Sequence, residues 1–362
     1  MNEKKTITIL LPGRLDRPVG GHKIIYQYAN LFAKDGFKVV IANNIFSPAN
    51  SCKIKELLRQ IYALLRFCVR ALRGQNTCSS WFSLDKRIEE KQVWTFDSST
   101  IESSDYYIAT AAITAPFLSH FNVPEEQKIY FIQDYENWQL DDKQLRETYK
   151  IASKKIVVSN WLSNILDEEG VNCTVVKNGF ITEEFVLTIP IEQKDRCSVS
   201  MLFHTDRRKN SSLGIEAINI VKSKFPQLKV SLFGVYDCPP DLPSGFSYYK
   251  APTIEEHNFI NNHSAIYIGT STIEGFGLTI GEAMLCGQAV ACTDASGYLE
   301  MAINGVTALV SPKNDAQALA NNIIRLINDD ELRFAIAHNA YSYVCDMTVE
   351  KSYSLFKSIL LK

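Results

Sequence analysis

Two glutamates stand on either side of a glycine-rich turn within Thr270–Asp294. Glu274 directly precedes the turn at residues 275–277, and Glu282 follows five residues after it. Two carboxylates next to an anion site would repel the anion, so neutral hydroxyl groups are the partners we expect for them. Carboxylates accept hydrogen bonds from hydroxyls strongly and with both oxygens. The pair therefore indicates a ligand that carries polyol groups.

The turn itself is suited to an anionic group. Short apolar runs at Ala265–Ile268 and Ala289–Cys292 predict strands, and between them Leu278–Cys286 predicts a helix that ends at Gly287. Glycines in the turn let the backbone approach a ligand. The first amides of the helix lack acceptors within it and can bind phosphate oxygens. A diphosphate flanked by two polyols, as in a nucleotide sugar, satisfies both observations.

A second chemically capable group lies earlier, where Arg207, Arg208 and Lys209 follow the predicted strand Val199–His204. Arginine offers a bidentate fork to phosphate, and lysine offers a point charge. Three consecutive cations between a strand and a helix are suited to holding a diphosphate. A solvated basic turn is the alternative.

The motif E-G-F-G-L-x3-E-A-M-x-x-G-x-x-V, at residues 274–290, is similar to the C-terminal signature of glycosyltransferase family 4, the retaining enzymes of the GT-B fold. The resemblance implies that Glu274 holds donor-sugar hydroxyls and that Glu282 holds the nucleotide ribose. An ordinary glycine turn with two solvated glutamates is the alternative. The donor-binding residues expected around the diphosphate are Gly275, Phe276, Gly277, Leu278 and Thr279.

The same resemblance gives the cations a role. It implies that an arginine and a lysine after the first strand of the second domain neutralise the leaving diphosphate, and Lys209 aligns with that lysine. The family usually has G-R directly after the strand, where this chain has His204-Thr205. The guanidinium must then come from Arg207 or Arg208, and the sequence leaves both open. The predicted catalytic residues are therefore Glu274, Lys209, Arg208 and Arg207.

The N-terminal half opens with a strand at Ile7–Leu11, a loop, and a helical pattern that begins at Gly20-Gly21. This is not G-x-G-x-x-G, so it gives little support to dinucleotide binding. The resemblance implies that Gly20 and Gly21 lie against the donor diphosphate. A plain loop-to-helix junction is the alternative.

A polar and aromatic cluster, Q-D-Y-E-N-W, follows the predicted strand Lys128–Ile132. Open α/β sheets bind ligands at the carboxyl ends of their strands. We therefore expect Asp134, Tyr135 and Glu136 to face the acceptor. The alternative is a capped and solvated turn.

Alternating strand and helix patterns predict an α/β protein. The resemblance covers nearly the whole chain and implies a GT-B fold, in which two Rossmann-like parallel-sheet domains face each other across a cleft and a C-terminal helix crosses back. The expected parts are an acceptor-side domain at 1–188, a linker at 189–198, a donor domain at 199–345, and at 346–362 a helix that packs on the N-terminal domain.

Composition narrows the function further. With 362 residues, a net charge of −2 and 46% hydrophobic residues, the chain is globular and has no global field that favours nucleic acid. Its nine cysteines and six histidines are scattered without metal-ligand spacing. We expect no metal and no cofactor, with a nucleoside-diphosphate sugar as co-substrate. The lack of a signal peptide or spanning segment predicts a cytoplasmic protein.

The segment 53–73 predicts a basic amphipathic helix, with six lysines and arginines around eight leucines, isoleucines and valines and a single acid. Such helices bind anionic membrane surfaces. Lipid-linked glycans are frequent acceptors in the resembled family, which favours peripheral attachment to the inner face of the cytoplasmic membrane. A core-packed helix with a basic outer face is the alternative.

The predicted function is a metal-independent retaining glycosyltransferase (EC 2.4) that acts on a glycan or lipid-linked glycan in polysaccharide or O-antigen biosynthesis. The Q-D-Y-E run at 133–136 is similar to one in bacterial family members that transfer rhamnose or related sugars, and this resemblance implies a donor such as dTDP-rhamnose or another hexose nucleotide. Two alternatives stay open. One is a GT-B epimerase that hydrolyses its nucleotide sugar, and the other is a non-catalytic subunit of a glycan-assembly complex.

Overall fold

A computed structural model describes residues 4–45, 58, 61–65, 68–69, 81–240 and 242–362. The chain divides into two compact units. Unit 1 contains the described residues up to Lys177 together with Tyr353–Lys362, and unit 2 is Asn178–Ser352. Residues 178–198, which the sequence analysis divides between the first domain and the linker, lie in unit 2. The predicted helix at 53–73 lies largely outside the described residues, including all of its lysines and arginines.

Unit 1 is built on a parallel sheet. Its strands are β1 (Thr6–Leu11), β2 (Lys38–Asn44), β3 (Glu89–Val93), β4 (Tyr106–Ala109), β5 (Lys128–Ile132), β6 (Lys154–Val157) and β7 (Thr174–Val175). Among the described residues these form a seven-stranded sheet in the order β3-β2-β1-β4-β5-β6-β7. The helices of unit 1 that lie wholly within the described residues are α1 (Gly20–Lys34), α2 (Asp142–Tyr149) and α3 (Asn160–Glu168).

The core of unit 1 is aromatic where α1 packs. Tyr353 and Phe356, from the last helix of the chain (Val349–Leu361), contact Tyr28 and Phe32 of α1 with ring centroids 4.9 to 6.2 Å apart. The Tyr353 hydroxyl also donates to Asp35 over 2.6 Å. Edge-to-face aromatic pairs add to the free energy of burial. The end of this helix is therefore part of the unit 1 core.

Unit 2 repeats the architecture. Its strands are β8 (Ser198–Leu202), β9 (Lys229–Gly234), β10 (Phe246–Lys250), β11 (Ile266–Gly269), β12 (Ala289–Thr293) and β13 (Ala308–Ser311), in the parallel order β10-β9-β8-β11-β12-β13. Its helices are α4 (Ser211–Lys224), α5 (Ile254–Asn262), α6 (Leu278–Leu285), α7 (Ala316–Asn328) and α8 (Asp330–Val344), and α9 (Val349–Leu361) begins here. The order reverses between β8 and β11, which is where doubly wound sheets bind ligands.

The predicted α/β class with two Rossmann-like parallel sheets is confirmed. Tyr106–Ala109 and Lys128–Ile132 have the apolar pattern of buried strands and are strands. The aromatic and β-branched residues of Val93–Phe96 are typical of a strand, but β3 ends at Val93. The polar run Glu89–Val93 forms this strand since it pairs in register with β2 at the sheet edge.

Two elements have weak sequence signals and were not predicted. Helix α2 is short and half-exposed, although Asp141 and Gln144 form the capping box that marks its start. Strand β10 lies at the edge of its sheet and mixes aromatic with polar residues without a regular alternation. Among the residues that the structure describes, no helix has the length and apolar character needed to cross a membrane.

Candidate active site

The site residues of unit 2 lie on two loops at the point where the strand order reverses. One loop follows β8 and carries Arg208 and Lys209, and the other follows β11 and begins at Thr270. The amide and hydroxyl of Thr272 lie 2.7 and 3.2 Å from the carbonyl oxygen of Arg208. The Thr270 hydroxyl donates to the carbonyl of Lys209 over 2.6 Å. These bonds hold the two loops together.

Lys209 and Glu274 form the central ion pair. Lys209 Nζ lies 2.6 Å from Glu274 Oε1, and the Ser271 hydroxyl donates to the same oxygen over 2.6 Å. Glu274 is only 8% exposed. Among the described residues no hydrogen bond reaches Oε2. The carboxylate is thus anchored through one oxygen, and the other can accept from a ligand.

The glycine turn leads into α6 as predicted. Gly277 precedes the helix with φ of +93°, a left-handed conformation that favours glycine. A Cβ at this position would lie 2.6 Å from Cδ1 of Tyr298, so the site excludes any side chain. The first helical hydrogen bond runs from the Ile280 amide to the Gly277 carbonyl. The helix ends at Leu285, and Gly287 just beyond its cap has the positive φ, +72°, expected of a glycine that stops a helix.

Glu282 lies one turn into α6, and it is only 7% exposed. A buried tyrosine, Tyr267 on β11, lies near it. Burial raises the pKa of the Tyr267 hydroxyl, and the carboxylates of Glu274 and Glu282 raise it further, against a hydrogen bond to Thr279 that lowers it. The phenol stays protonated and can donate. The carboxylates of Glu274 and Glu282 therefore both lie near a buried, protonated tyrosine hydroxyl.

The two candidate arginines differ in their surroundings. Arg208 is half-buried, and its guanidinium contacts Asp206 through Nη2 at 2.9 Å and Nε at 3.2 Å. Asp206 also accepts from the Arg208 amide, and its own amide donates to His204 Nδ1. Arg207 is exposed. The structure holds the Arg208 side chain in place and leaves Arg207 in solvent.

The remaining predicted residues lie in unit 1. Gly20 and Gly21 begin α1, where a Cβ on Gly21 would meet the Gln133 amide at 3.5 Å, an ordinary contact. Asp134 accepts from the Tyr135 amide, and Glu136 accepts from the Ala112 amide after β4. Glu136 thus caps a neighbouring turn. Roles in donor and acceptor binding for these residues stay predictions.

Comparison with known proteins bears on this arrangement. The model of the family "Glycosyl transferases group 1" matches residues 183–343, which include both loops and α6. Over residues 183–343 this chain is similar to the group 1 glycosyl transferases.

Curated relatives match this chain over short segments. The chain is 39% identical over 79 residues to the lipopolysaccharide core biosynthesis mannosyltransferase LpcC of Rhizobium leguminosarum, covering 22% of each chain. It is 35% identical over 82 residues to the capsular polysaccharide biosynthesis glycosyltransferase CapM of Staphylococcus aureus, covering 23% of this chain and 21% of that one. The matches span about a fifth to a quarter of these relatives' length.

The fold extends over the whole chain. The crystal structure of Anabaena HepE in complex with UDP and glucose superimposes with a TM-score of 0.73 at 18% identity, covering 99% of each chain. At this identity the similarity establishes the fold alone. The chain therefore has the GT-B fold that the sequence motifs predict.

Sequence reasoning missed two residues of this candidate site, Ser271 and Tyr298. Ser271 bonds Glu274, and the ring of Tyr298 lies under the glycine turn. The only sequence signal is the position of Ser271 three residues before Glu274. Over the described ranges, no three His, Cys, Asp or Glu side chains come together as they would around a metal ion.

Proposed function

We propose that this protein is a retaining glycosyltransferase that moves a sugar from a nucleoside-diphosphate sugar to a glycan or lipid-linked glycan in bacterial polysaccharide biosynthesis. The observation that carries the proposal is the Lys209–Glu274 pair at 2.6 Å, next to a glycine turn and a helix N-terminus. A cation, an anchored carboxylate and helical amides are the groups that a sugar diphosphate needs. The family match over residues 183–343 and the activities for which LpcC and CapM are named support this function.

A UDP-sugar is the donor that we propose. HepE, which shares the fold, has been crystallised with UDP and glucose. The relative LpcC is a mannosyltransferase. Neither protein supports the rhamnose donor that the sequence favoured. We propose a UDP-hexose in its place.

The proposed reaction is a substitution at the anomeric carbon. The bond from that carbon to the β-phosphate oxygen breaks, a bond to the acceptor oxygen forms, and the acceptor proton passes to the leaving phosphate. Negative charge grows on the β-phosphate, so preorganised positive groups stabilise the transition state most. Lys209 and the amides at the start of α6 are suited to this task. Front-face attack would retain the configuration.

Arg208 is the arginine that we assign to the leaving diphosphate. Its guanidinium is oriented by two bonds to Asp206, and its carbonyl oxygen is bonded by Thr272. A side chain that is already ordered loses less entropy when a ligand binds. Arg207, in contrast, is exposed and would have to be ordered.

The two glutamates bind opposite ends of the donor in this proposal. Glu274 presents Oε2 to the sugar hydroxyls, since Oε1 is occupied by Lys209 and Ser271. Glu282, one turn along α6, accepts from the ribose hydroxyls. Asp134, Tyr135 and Glu136 of unit 1 recognise the acceptor.

Attachment to an anionic membrane surface is the second part of the proposal. The described apolar residues of the segment 53–73 include Leu58, Ile61, Tyr62 and Leu65, which are 61%, 46%, 67% and 59% exposed. Apolar groups at these positions would enter the lipid interface while the lysines and arginines of the segment contact headgroups. Replacing the four arginines of the segment by glutamine should reduce co-sedimentation with anionic vesicles, and unchanged binding would contradict it.

The test of the function begins with thermal shifts against a panel of nucleoside diphosphates and their sugars. Binding to the native state raises the melting temperature by mass action. We expect UDP and one UDP-hexose to shift it and Glu274→Ala to remove turnover with that sugar. Free sugar without an acceptor would favour the epimerase alternative. A folded protein that binds no nucleotide would favour a non-catalytic subunit.

A further inference from the structure

A buried tyrosine is connected to the central carboxylate through one serine. Tyr298 lies in a short 3-10 helix, Ser296–Glu300, and is 3% exposed. Its hydroxyl donates to Ser271 Oγ over 2.9 Å, and Ser271 donates to Glu274 Oε1 over 2.6 Å. Two hydrogen bonds in series therefore join Tyr298 to the carboxylate.

The direction of this relay is fixed by the chemistry of its members. Burial raises the pKa of Tyr298 well above its ordinary value, and the nearby Glu274 carboxylate raises it further. The phenol therefore remains a donor. Ser271 Oγ accepts the hydrogen bond from the Tyr298 hydroxyl and donates its own hydrogen to Glu274. The carbonyl oxygen of Ser271 is held by the Thr293 hydroxyl, so the serine backbone is also fixed.

The same tyrosine supports the backbone around Glu274. Its ring would lie 2.6 Å from a Cβ at Gly277 and 3.0 Å from one at Gly269. The amide of Gly297, the preceding residue, donates to the carbonyl oxygen of Glu274 over 3.1 Å. The segment therefore holds both the main chain and the side chain of Glu274.

We propose that Tyr298 and Ser271 are positioning residues that lock Glu274 Oε1 so that Oε2 points at the donor sugar. The inference rests on the proposed function of Glu274 as the sugar-binding carboxylate. Lys209 donates to the same oxygen, but in the proposed reaction it also binds the diphosphate. It therefore cannot hold the carboxylate in one orientation by itself. The Ser271 hydroxyl supplies a second hydrogen bond to this oxygen, and this bond does not have to change when the donor binds or the diphosphate leaves.

The inference has a signature that a purely structural role lacks. A nucleoside diphosphate carries no donor sugar, so its affinity should not depend on how Glu274 is oriented. Affinity and turnover with the complete nucleotide sugar should depend on it. Hydrogen bonds to a charged group typically contribute a factor of about ten or more. The bond from Tyr298 to Ser271 does not reach the carboxylate itself, so its loss should lower affinity and turnover by a smaller factor.

The test compares Tyr298→Phe, Ser271→Ala and the double variant. We expect kcat/KM for the nucleotide sugar to fall about fivefold in Tyr298→Phe and about twentyfold in Ser271→Ala, with UDP affinity unchanged within twofold. Because Tyr298 acts through Ser271, the double variant should match Ser271→Ala. Tyr343→Phe is the matched control, since its hydroxyl bonds the Glu300 carbonyl at the end of the same segment. It should keep wild-type kinetics.

Three results would overturn the inference. They are wild-type kcat/KM in Tyr298→Phe, effects that multiply in the double variant, and equal losses of UDP and nucleotide-sugar affinity. Ser271→Ala keeps the tyrosine ring in place, so it provides the measurement if Tyr298→Phe does not fold. A wild-type protein that binds no nucleotide sugar would refute the proposed function and this inference together. Normal donor binding with an insensitive Tyr298→Phe would refute the inference alone.

Discussion

Lys209→Ala removes the ammonium group that we place next to the leaving diphosphate. The side chain is 25% exposed and its Nζ lies 2.6 Å from Glu274. Two unit charges about 4 Å apart interact by about 4 kcal/mol at an effective dielectric constant near 20. Glu274 offsets part of this, and the ground-state diphosphate already uses another part. Removal of one preorganised charge donor should therefore raise the barrier by about 3 kcal/mol.

An increase of about 3 kcal/mol in the activation barrier corresponds to a decrease in kcat of roughly two orders of magnitude. The assay is steady-state transfer with saturating donor, together with UDP affinity by calorimetry. Since negative charge grows as the bond to the phosphate breaks, kcat should fall more than UDP affinity. Lys224→Ala is the matched control, because this exposed lysine lies at the far end of α4. It should keep wild-type kcat.

A decrease in kcat below about fivefold would refute the role of Lys209 in leaving-group stabilisation. A large decrease in UDP affinity with kcat unchanged would show uniform binding instead, and would also contradict the reasoning. Melting temperatures decide whether Lys209→Ala is still folded. The loops should persist, because Thr270 and Thr272 bond main-chain carbonyls rather than the lysine side chain.

Glu282→Ala should weaken UDP binding about tenfold or more while the melting temperature without ligand changes little, and wild-type affinity by calorimetry would remove its ribose role. Arg208→Ala should lower kcat/KM by one to two orders of magnitude and Arg207→Ala by less than about threefold, and the reverse order in transfer assays would reassign the guanidinium. Lys194→Met should reduce the free energy of unfolding in urea by about 2 kcal/mol. Its Nζ donates to three main-chain carbonyls at and just beyond the C-terminal end of α5. Lys229→Met, at an exposed ion pair, should stay within about 1 kcal/mol. Burial lowers the pKa of Lys194 to about 8, whereas in the unfolded chain this lysine keeps its proton up to about pH 10.4. Between these pH values the unfolded state binds more protons, so the free energy of unfolding of the wild type should rise with pH relative to that of Lys194→Met. Parallel curves of stability against pH for the two proteins would contradict this expectation.

Apolar periodicity and glycine turns were sufficient to predict most of the fold. The strand at Lys128–Ile132 and the stop of α6 at Gly287 agree with the structure because each follows from local chemistry. The pairing of Lys209 with Glu274, 65 residues apart, depends on the reversal of strand order between β8 and β11. Both residues could be predicted as site residues from the sequence, but their contact follows only from the fold.

Long-range packing explains what the sequence did not predict. Tyr298 reaches Ser271 across 27 residues because a 3-10 helix turns its ring under Gly277, and no periodic pattern encodes that turn. Lys194 lies in a charged segment beside Pro190 that is typical of an exposed linker. It is buried instead, because the carbonyls at the end of α5 need donors.

The sharing of the last helix by two units has a consequence for synthesis on the ribosome. Tyr353 and Phe356 complete the packing around Tyr28 and Phe32, yet unit 2, Asn178–Ser352, is translated before them. At about 5 to 20 residues per second, roughly ten to thirty seconds separate the two parts of unit 1. During that interval the nascent unit 1 presents an incomplete aromatic core. Chaperones that bind exposed aromatic surface would meet this chain first at α1.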